Sequence, residues 1–249
     1  MPEDASDKGP VAGKRQFATT HWSIVIAAGD ACREDAQDAL SQLCEVYWYP
    51  LYAYVRRRGY SAPDAQDLTQ AFFARLLEKQ SLRVADPERG KFRSFLLASV
   101  DHFLANERDR ARAQKRGGGR TLLSLDLAAG ESRVSLEPAH ELTPERLYER
   151  QWALTLLELV VRRVEAEYRE AGKGRQFELL KDALGGARER LPYVEVAAEL
   201  EMSVENARQA AHRMRKRYRA LLREEVARTV VDSSGVDEEL ANLFEALGN

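Results

Sequence analysis

The sequence predicts an all-α fold: two small helical domains joined by a flexible linker, the second containing a helix-turn-helix. Three observations predict it. Apolar residues recur at 3.6-residue spacing among strong helix formers, while the alternation of a half-buried strand is scarce. Segment 113–146 has few aromatics, a mild acidic excess and the run Gly117-Gly118-Gly119, the composition of a tether rather than a core. Residues 192–217, PYVEVAAELEMSVENARQAAHRMRKR, give two short amphipathic helices split by a turn.

The elements follow in order. Residues 1–17 are polar and contain Gly and Pro, so disorder is expected. Residues 19–28 form a short helix carrying Trp22 and Ile26, stopped at Gly29. Leu40, Leu43, Tyr47, Leu51, Tyr54 and Val55 continue a helical stripe in which Pro50 is a break or the first turn of a second helix, with Arg58-Gly59 as its end. Pro63-Asp64 opens a helix with Leu68, Phe72, Leu76 and Leu77 on its apolar side. A loop at 80–91 precedes a long helix from about 93 to 115. Thr143-Pro144 caps the next, expected to reach about residue 170, with shorter helices at 174–184, 192–200 and 204–226. The expected organisation is a disordered 1–17, a first domain 18–112, a linker 113–142, a second domain 143–228 and an acidic tail 229–249.

Composition narrows the function. The chain has 249 residues, 31% charged and 44% hydrophobic, enough for one large or two small domains. No run approaches the roughly 18 apolar residues of a membrane span, so no membrane span is expected. The start, Met1-Pro2-Glu3-Asp4-Ala5-Ser6-Asp7, lacks the pattern of a signal peptide. Cys32 and Cys44 stand twelve residues apart, which suits two free thiols in a reducing, cytoplasmic setting better than a metal or redox pair. His21, His102, His140 and His212 make no metal pattern, and neither a nucleophile elbow nor a phosphate loop occurs. The expectation is a protein that is not an enzyme and needs no metal or cofactor.

The net charge of −2 is segregated. Residues 103–120 carry six basic residues against Glu107 and Asp109, and residues 208–223 carry seven with no acid. The last 20 residues, 230–249, carry five acids and no Lys or Arg. Two basic helices suit phosphate neutralisation, although a charge run can also be a solvated face. In the helix-turn-helix, Val196, Ala197 and Leu200 would pack the first helix, Ser203 would cap the second, and Val204, Ala207, Ala211 and Met214 would be buried. Glu205, Asn206, Arg208 and Gln209 are then the positions that face a major groove, where Arg favours guanine and Asn or Gln favours adenine. His212, Arg213 and Arg217 suit phosphates. A purely structural helical hairpin is the alternative. Glu201 occupies the turn position where glycine would relieve left-handed strain.

Three stretches together resemble bacterial RNA polymerase sigma factors of the extracytoplasmic-function type. They are LCEVYWYPLYAYVRRRGYSAPDAQDLTQAFFARLLEK (43–79), DPERGKFRSFLLASVDHFLANERDRARAQKR (86–116) and the helix-turn-helix, covering about 160 of 249 residues in the family's order. The resemblance implies that the first domain binds core RNA polymerase and the minus-ten promoter element, and that the second reads the minus-thirty-five element. It implies a polymerase-binding helix with Asp64, Asp67, Leu68, Gln70 and Phe72; dipole compensation alone would also explain the two acids. It places capture of a flipped promoter base at the 80–91 loop. Phe95, Ser99, His102 and Asn106, which share one helical face, become a single-strand track that Arg108, Arg110 and Arg112 continue. His102 stands where the family commonly has Asn, and core packing serves Phe95 as well as stacking does.

Gln66 and Ala71 stand where the family's polymerase-binding helix commonly has Glu. Thr69 between them is therefore a candidate phosphorylation site that would restore negative charge, with a Ser/Thr kinase as partner; an anti-sigma factor is the other regulator expected. In the tail, Val236, Leu240, Leu243, Phe244 and Leu247 form an apolar stripe amid Asp237, Glu238, Glu239 and Glu245. Such a helix could cover a basic or apolar surface of the protein itself, recruit a regulator, or pack passively. The competing functional reading is a stand-alone helix-turn-helix transcriptional regulator with an N-terminal dimerisation or sensing domain. A helical adaptor that binds no DNA is a third.

Overall fold

The computed structural model describes residues 36–78, 91–113, 142–185, 191–230 and 233–248. The expectations for 1–17, for the helix at 19–28, for most of the 80–91 loop, for the linker interior and for Cys32 lie outside them. Among the described residues the fold is all-helical, with no strand. The helices are α1 (Ala36–Arg57), α2 (Ala62–Glu78), α3 (Phe92–Ala113), α4 (Pro144–Glu170), α5 (Gly174–Leu180), α6 (Tyr193–Glu199), α7 (Val204–Thr229) and α8 (Val236–Gly248). Short 3₁₀ turns at Lys181–Gly185 and Ser233–Gly235 extend α5 and lead into α8.

Pro50 neither breaks the helix nor opens a second one, the two outcomes expected of it: α1 runs through it. A mid-helix proline costs about 3 kcal/mol through a lost hydrogen bond and a ring clash. Here Val46 through Val55 are all buried, and burial of a large apolar side chain returns about 1.5–3 kcal/mol each. Packing therefore outweighs the local penalty. Gly59, at φ +92, then ends the turn after α1 in a backbone region that favours glycine.

A helix buried all round needs neighbours on every side. α1 is covered by α2, by α3 and, most extensively, by α4. That last contact bears on the expected two tethered domains. Residues assigned to both share one core, in which Tyr54 of the first meets Tyr148 of the second edge-on at 6.3 Å. Polar contacts cross the same boundary. Arg162 pairs with Glu45 at 3.1 Å and the Tyr148 hydroxyl donates to the Arg93 carbonyl at 3.0 Å, while Arg57 donates Nε and Nη2 to the carbonyl of Leu142, the last residue of the expected linker, at 3.2 and 3.0 Å.

α4 is the spine of the second half. The Thr143 side chain accepts from the Arg146 N–H at 3.3 Å, with Pro144 opening the helix. One side packs on α1, and other faces receive α5, α7 and α8. Between α4 and α7 lies buried Glu225, paired with Arg163 and with Arg228 at 3.1 Å. Arg175 of α5 contacts Glu199 of α6, which ties the helix-turn-helix region to the short helices before it. The tail forms α8, which lies on α4 and α7 with Val236 and Leu243 buried.

Candidate nucleic-acid interface

α6 and α7 meet through a short turn whose geometry follows from three residues. Ser203 caps α7, accepting from the Asn206 N–H at 3.1 Å. Glu201 sits at φ +50, the left-handed region that costs a residue with a Cβ of order 1 kcal/mol. The turn is nonetheless closed by the Met202 N–H donating to the Ala197 carbonyl at 2.9 Å. Val196 and Ala197 of α6 are buried, and so are Ala207, Ala210, Ala211 and Met214 of α7. Alanines at three of those four inward positions let the helices approach closely.

The outward face of α7 follows by periodicity. Glu205, Arg208, Gln209, His212, Arg213 and Lys216 recur at i, i+3, i+4, i+7, i+8 and i+11, and all are exposed, as is Asn206 beside them. Arg208 lies over the Tyr193 ring at 5.9 Å and within 4.0 Å of Glu205. The ring positions the guanidinium without consuming its hydrogen-bond donors. Tyr193 is thus a supporting residue that sequence reasoning missed; a tyrosine just after Pro192, at the start of the preceding helix, was its only signal.

Arg217 departs from its expected phosphate role. Its Nε and Nη2 donate to the two Glu167 carboxylate oxygens at 2.8 and 2.6 Å, and Nη1 reaches Glu224 at 3.5 Å. These hydrogen bonds hold the Glu167 carboxyl below the usual carboxylate range and push the Arg217 guanidinium up. Arg217 therefore joins α7 to α4, and a phosphate would have to displace two carboxylates.

On α3 the predicted division of faces holds. Leu96, Val100, Phe103 and Leu104 are buried, while His102, Asn106, Arg108 and Arg110 are exposed and Phe95 and Ser99 half-buried. Phe95 stacks on Phe92 at 6.0 Å, which gives it a packing role. Arg110 donates to Glu107 at 2.7 Å, and Glu107 also draws Arg75 of α2 to 3.7 Å. The Arg112 side chain lies outside the described residues.

The polymerase-binding expectation on α2 divides. Asp64 and Asp67 are exposed in the first turns, with the Ser61 hydroxyl donating to Asp64 at 2.6 Å. Leu68 is half-buried. Gln70 and Phe72 are buried, and Phe72 packs edge-on to Phe73 and Phe103 at 5.8 and 5.7 Å. These two are core residues here, because the side of α2 they occupy is the one that closes on α1 and α3. Thr69 is likewise corrected as an accessible phosphoacceptor. It is 0% exposed and its hydroxyl donates to the Ala65 carbonyl at 2.7 Å, so a kinase would reach it only after α2 moved.

A charged cluster that the sequence did not single out lies at the start of α3. Arg93 lies over the Trp152 ring at 4.4 Å, donates Nε to Glu149 at 2.5 Å and contacts Glu239 of α8. Lys91 reaches Glu239 at 2.9 Å and Glu238 at 3.3 Å. Among the described residues no group of three or more His, Cys, Asp or Glu side chains could hold a metal ion, and no helix is long and apolar enough to cross a membrane. Burial pushes the Cys44 thiol up to about 11, away from thiolate chemistry at neutral pH. Comparison with protein-family models, with curated proteins and with solved structures finds no match.

Proposed function

We propose that the chain is a promoter-specificity subunit, a sigma factor of the extracytoplasmic-function type. On this reading it holds core RNA polymerase, reads duplex DNA with the amino-terminal half of α7 and supports melted promoter DNA with α3. The observation that carries the reading is the exposed face of α7. Glu205, Asn206, Arg208, Gln209, His212 and Arg213 stand outward together, while Ala207, Ala210, Ala211 and Met214 fasten the helix from behind. Guanidinium, amide and imidazole groups on one exposed, well-anchored helix match the hydrogen-bonding edges of a major groove.

The exposed residues of α3 support the second role, with His102 and Asn106 outward and Arg108 exposed two residues beyond Asn106. Asp64 and Asp67 supply exposed carboxylates for a basic helix of polymerase. Transcription initiation, promoter recognition and a cytoplasmic setting follow from this role. The function needs no catalytic residue in this chain.

The test is a pull-down of core polymerase by the full chain. Retention of core is expected, with weaker retention by Asp64→Asn plus Asp67→Asn. Failure of the wild-type chain to retain core would refute the reading. A stand-alone regulator would instead bind a palindromic duplex as a dimer without polymerase.

A further inference from the structure

We propose that α8 is an acidic clasp that masks the start of α3. Its carboxylates pair with Lys91 and Arg93 and tie the head of α3 to α8, and Lys91 becomes available to nucleic-acid phosphates only when α8 leaves.

The central observation is Glu239. It belongs to a helix with an acidic first turn, Asp237, Glu238 and Glu239, yet its side chain is 0% exposed. A carboxylate loses several kcal/mol of solvation on burial, which close cations and hydrogen-bond donors offset; Asn242 Nδ2 donates to Glu239 at 3.4 Å. Glu239 has two close cations, Lys91 and Arg93, both from the start of α3. Apolar side chains in place of the whole Glu239–Arg93–Lys91 cluster would hold α8 about as well, because buried ion pairs are poor sources of net stability. What an ion pair provides, and an apolar side chain does not, is a contact that another anion can replace.

The rest of α8 fits a helix that both grips and releases. Leu243 and Val236 are buried against the second half, and Asp237 pairs with Arg223 of α7 at 2.5 Å. Not every apolar side chain of α8 is covered, since Phe244 is 56% exposed. With no Lys or Arg in residues 230–249, the segment has the sign of a polyanion.

The masked position matters because of where Lys91 stands. Lys91, Phe95, Ser99, His102 and Asn106 follow one another at i, i+4, i+8, i+11 and i+15, so the lysine extends the face assigned to single-stranded DNA by one turn. Its carbonyl accepts from the Phe95 N–H at 3.2 Å, which fixes it at the head of α3. Glu238 and Glu239 hold the Lys91 ammonium where phosphate oxygens would otherwise bind. Displacing α8 removes the Glu238 and Glu239 carboxylates from Lys91, while Arg93 keeps Glu149. The inference rests on the nucleic-acid reading of α3.

Two full-length variants test it. Glu239→Gln removes the buried charge. Asp237→Asn plus Glu238→Gln alters only exposed carboxylates and so leaves the core intact should the first variant fold poorly. Amide hydrogen exchange at 91–96 and 236–248 reads the clasp, and fluorescence anisotropy with a short single-stranded oligodeoxynucleotide reads the masking. Both variants are expected to exchange faster in the two segments. They should bind the oligonucleotide more tightly, by up to about tenfold if the closed form dominates tenfold, with a log–log salt slope steeper by about one. Unchanged exchange in both variants overturns the clasp. Faster exchange without tighter binding overturns the masking and counts against the single-strand track, while leaving the polymerase and duplex roles to their own test.

Discussion

The two helices expected to meet partners, α2 and α7, are built in opposite ways. In the amino-terminal half of α7 small residues face in and long polar ones face out, so Arg208, Gln209, His212 and Arg213 are exposed while alanines and Met214 hold the core. On α2 the expected partner-facing set mixes exposed Asp64 and Asp67 with buried Gln70 and Phe72. A polar side chain on an alanine-backed helix has one place to go. An aromatic on an amphipathic helix fits a partner groove or the protein's own core equally well by pattern, and only the position of the other helices decides.

The largest expected effect lies on the α2 side. Phe72→Ala should cost about 3–5 kcal/mol of stability by leaving a cavity among Phe73, Phe103 and the α1 face, measured by urea unfolding. A cost under 1 kcal/mol would mean that Phe72 is free to serve a partner, and the contrast between the helices would weaken. Thr69→Glu comes next. A carboxylate at this buried site should cost about 3 kcal/mol or more, whereas Thr69→Val should be close to neutral. Equal stability of the two variants would show that Thr69 is accessible after all.

Smaller effects sharpen the α7 side. Glu201→Gly should stabilise the fold by about 1 kcal/mol, raising Tm by about 2–4 °C, because glycine accepts φ +50 without strain. The smallest effect concerns Glu167. Its folded-state carboxyl is held down by Arg217, so the stability it contributes is present above the unfolded carboxylate value of about 4.3 and is lost as pH falls through the folded one. Arg217→Ala should therefore be slightly less stable than wild type at pH 7, by no more than about 1 kcal/mol for an exposed pair, and the difference should shrink below about pH 4.

Much of the fold was legible because single-helix rules sufficed. Thr143-Pro144 and Ser203 start their helices as expected, Gly59 marks an end, and Glu201 takes the left-handed turn. What periodicity concealed was long-range. The run Val46-Tyr47-Trp48-Tyr49-Pro50-Leu51-Tyr52-Ala53-Tyr54-Val55 is too apolar for a helix with one wet face. It signalled a central helix that needs partners on all sides, which is why α1 also packs on α4 and the two halves share a core. Lys91 and Arg93 were overlooked for a similar reason. Their partners, Glu238 and Glu239, lie some 147 positions away in sequence, and nothing local couples them.

The most direct test of the central claim is run-off transcription from a promoter library by core polymerase with wild type or with Arg208→Ala plus Arg213→Ala. Both substitutions are on exposed side chains, so stability should change by no more than about 0.5 kcal/mol. The account predicts promoter-specific transcripts with wild type and their loss with the double variant, at unchanged Tm. Promoter-specific transcripts of equal yield from both proteins, or none from either, would contradict it.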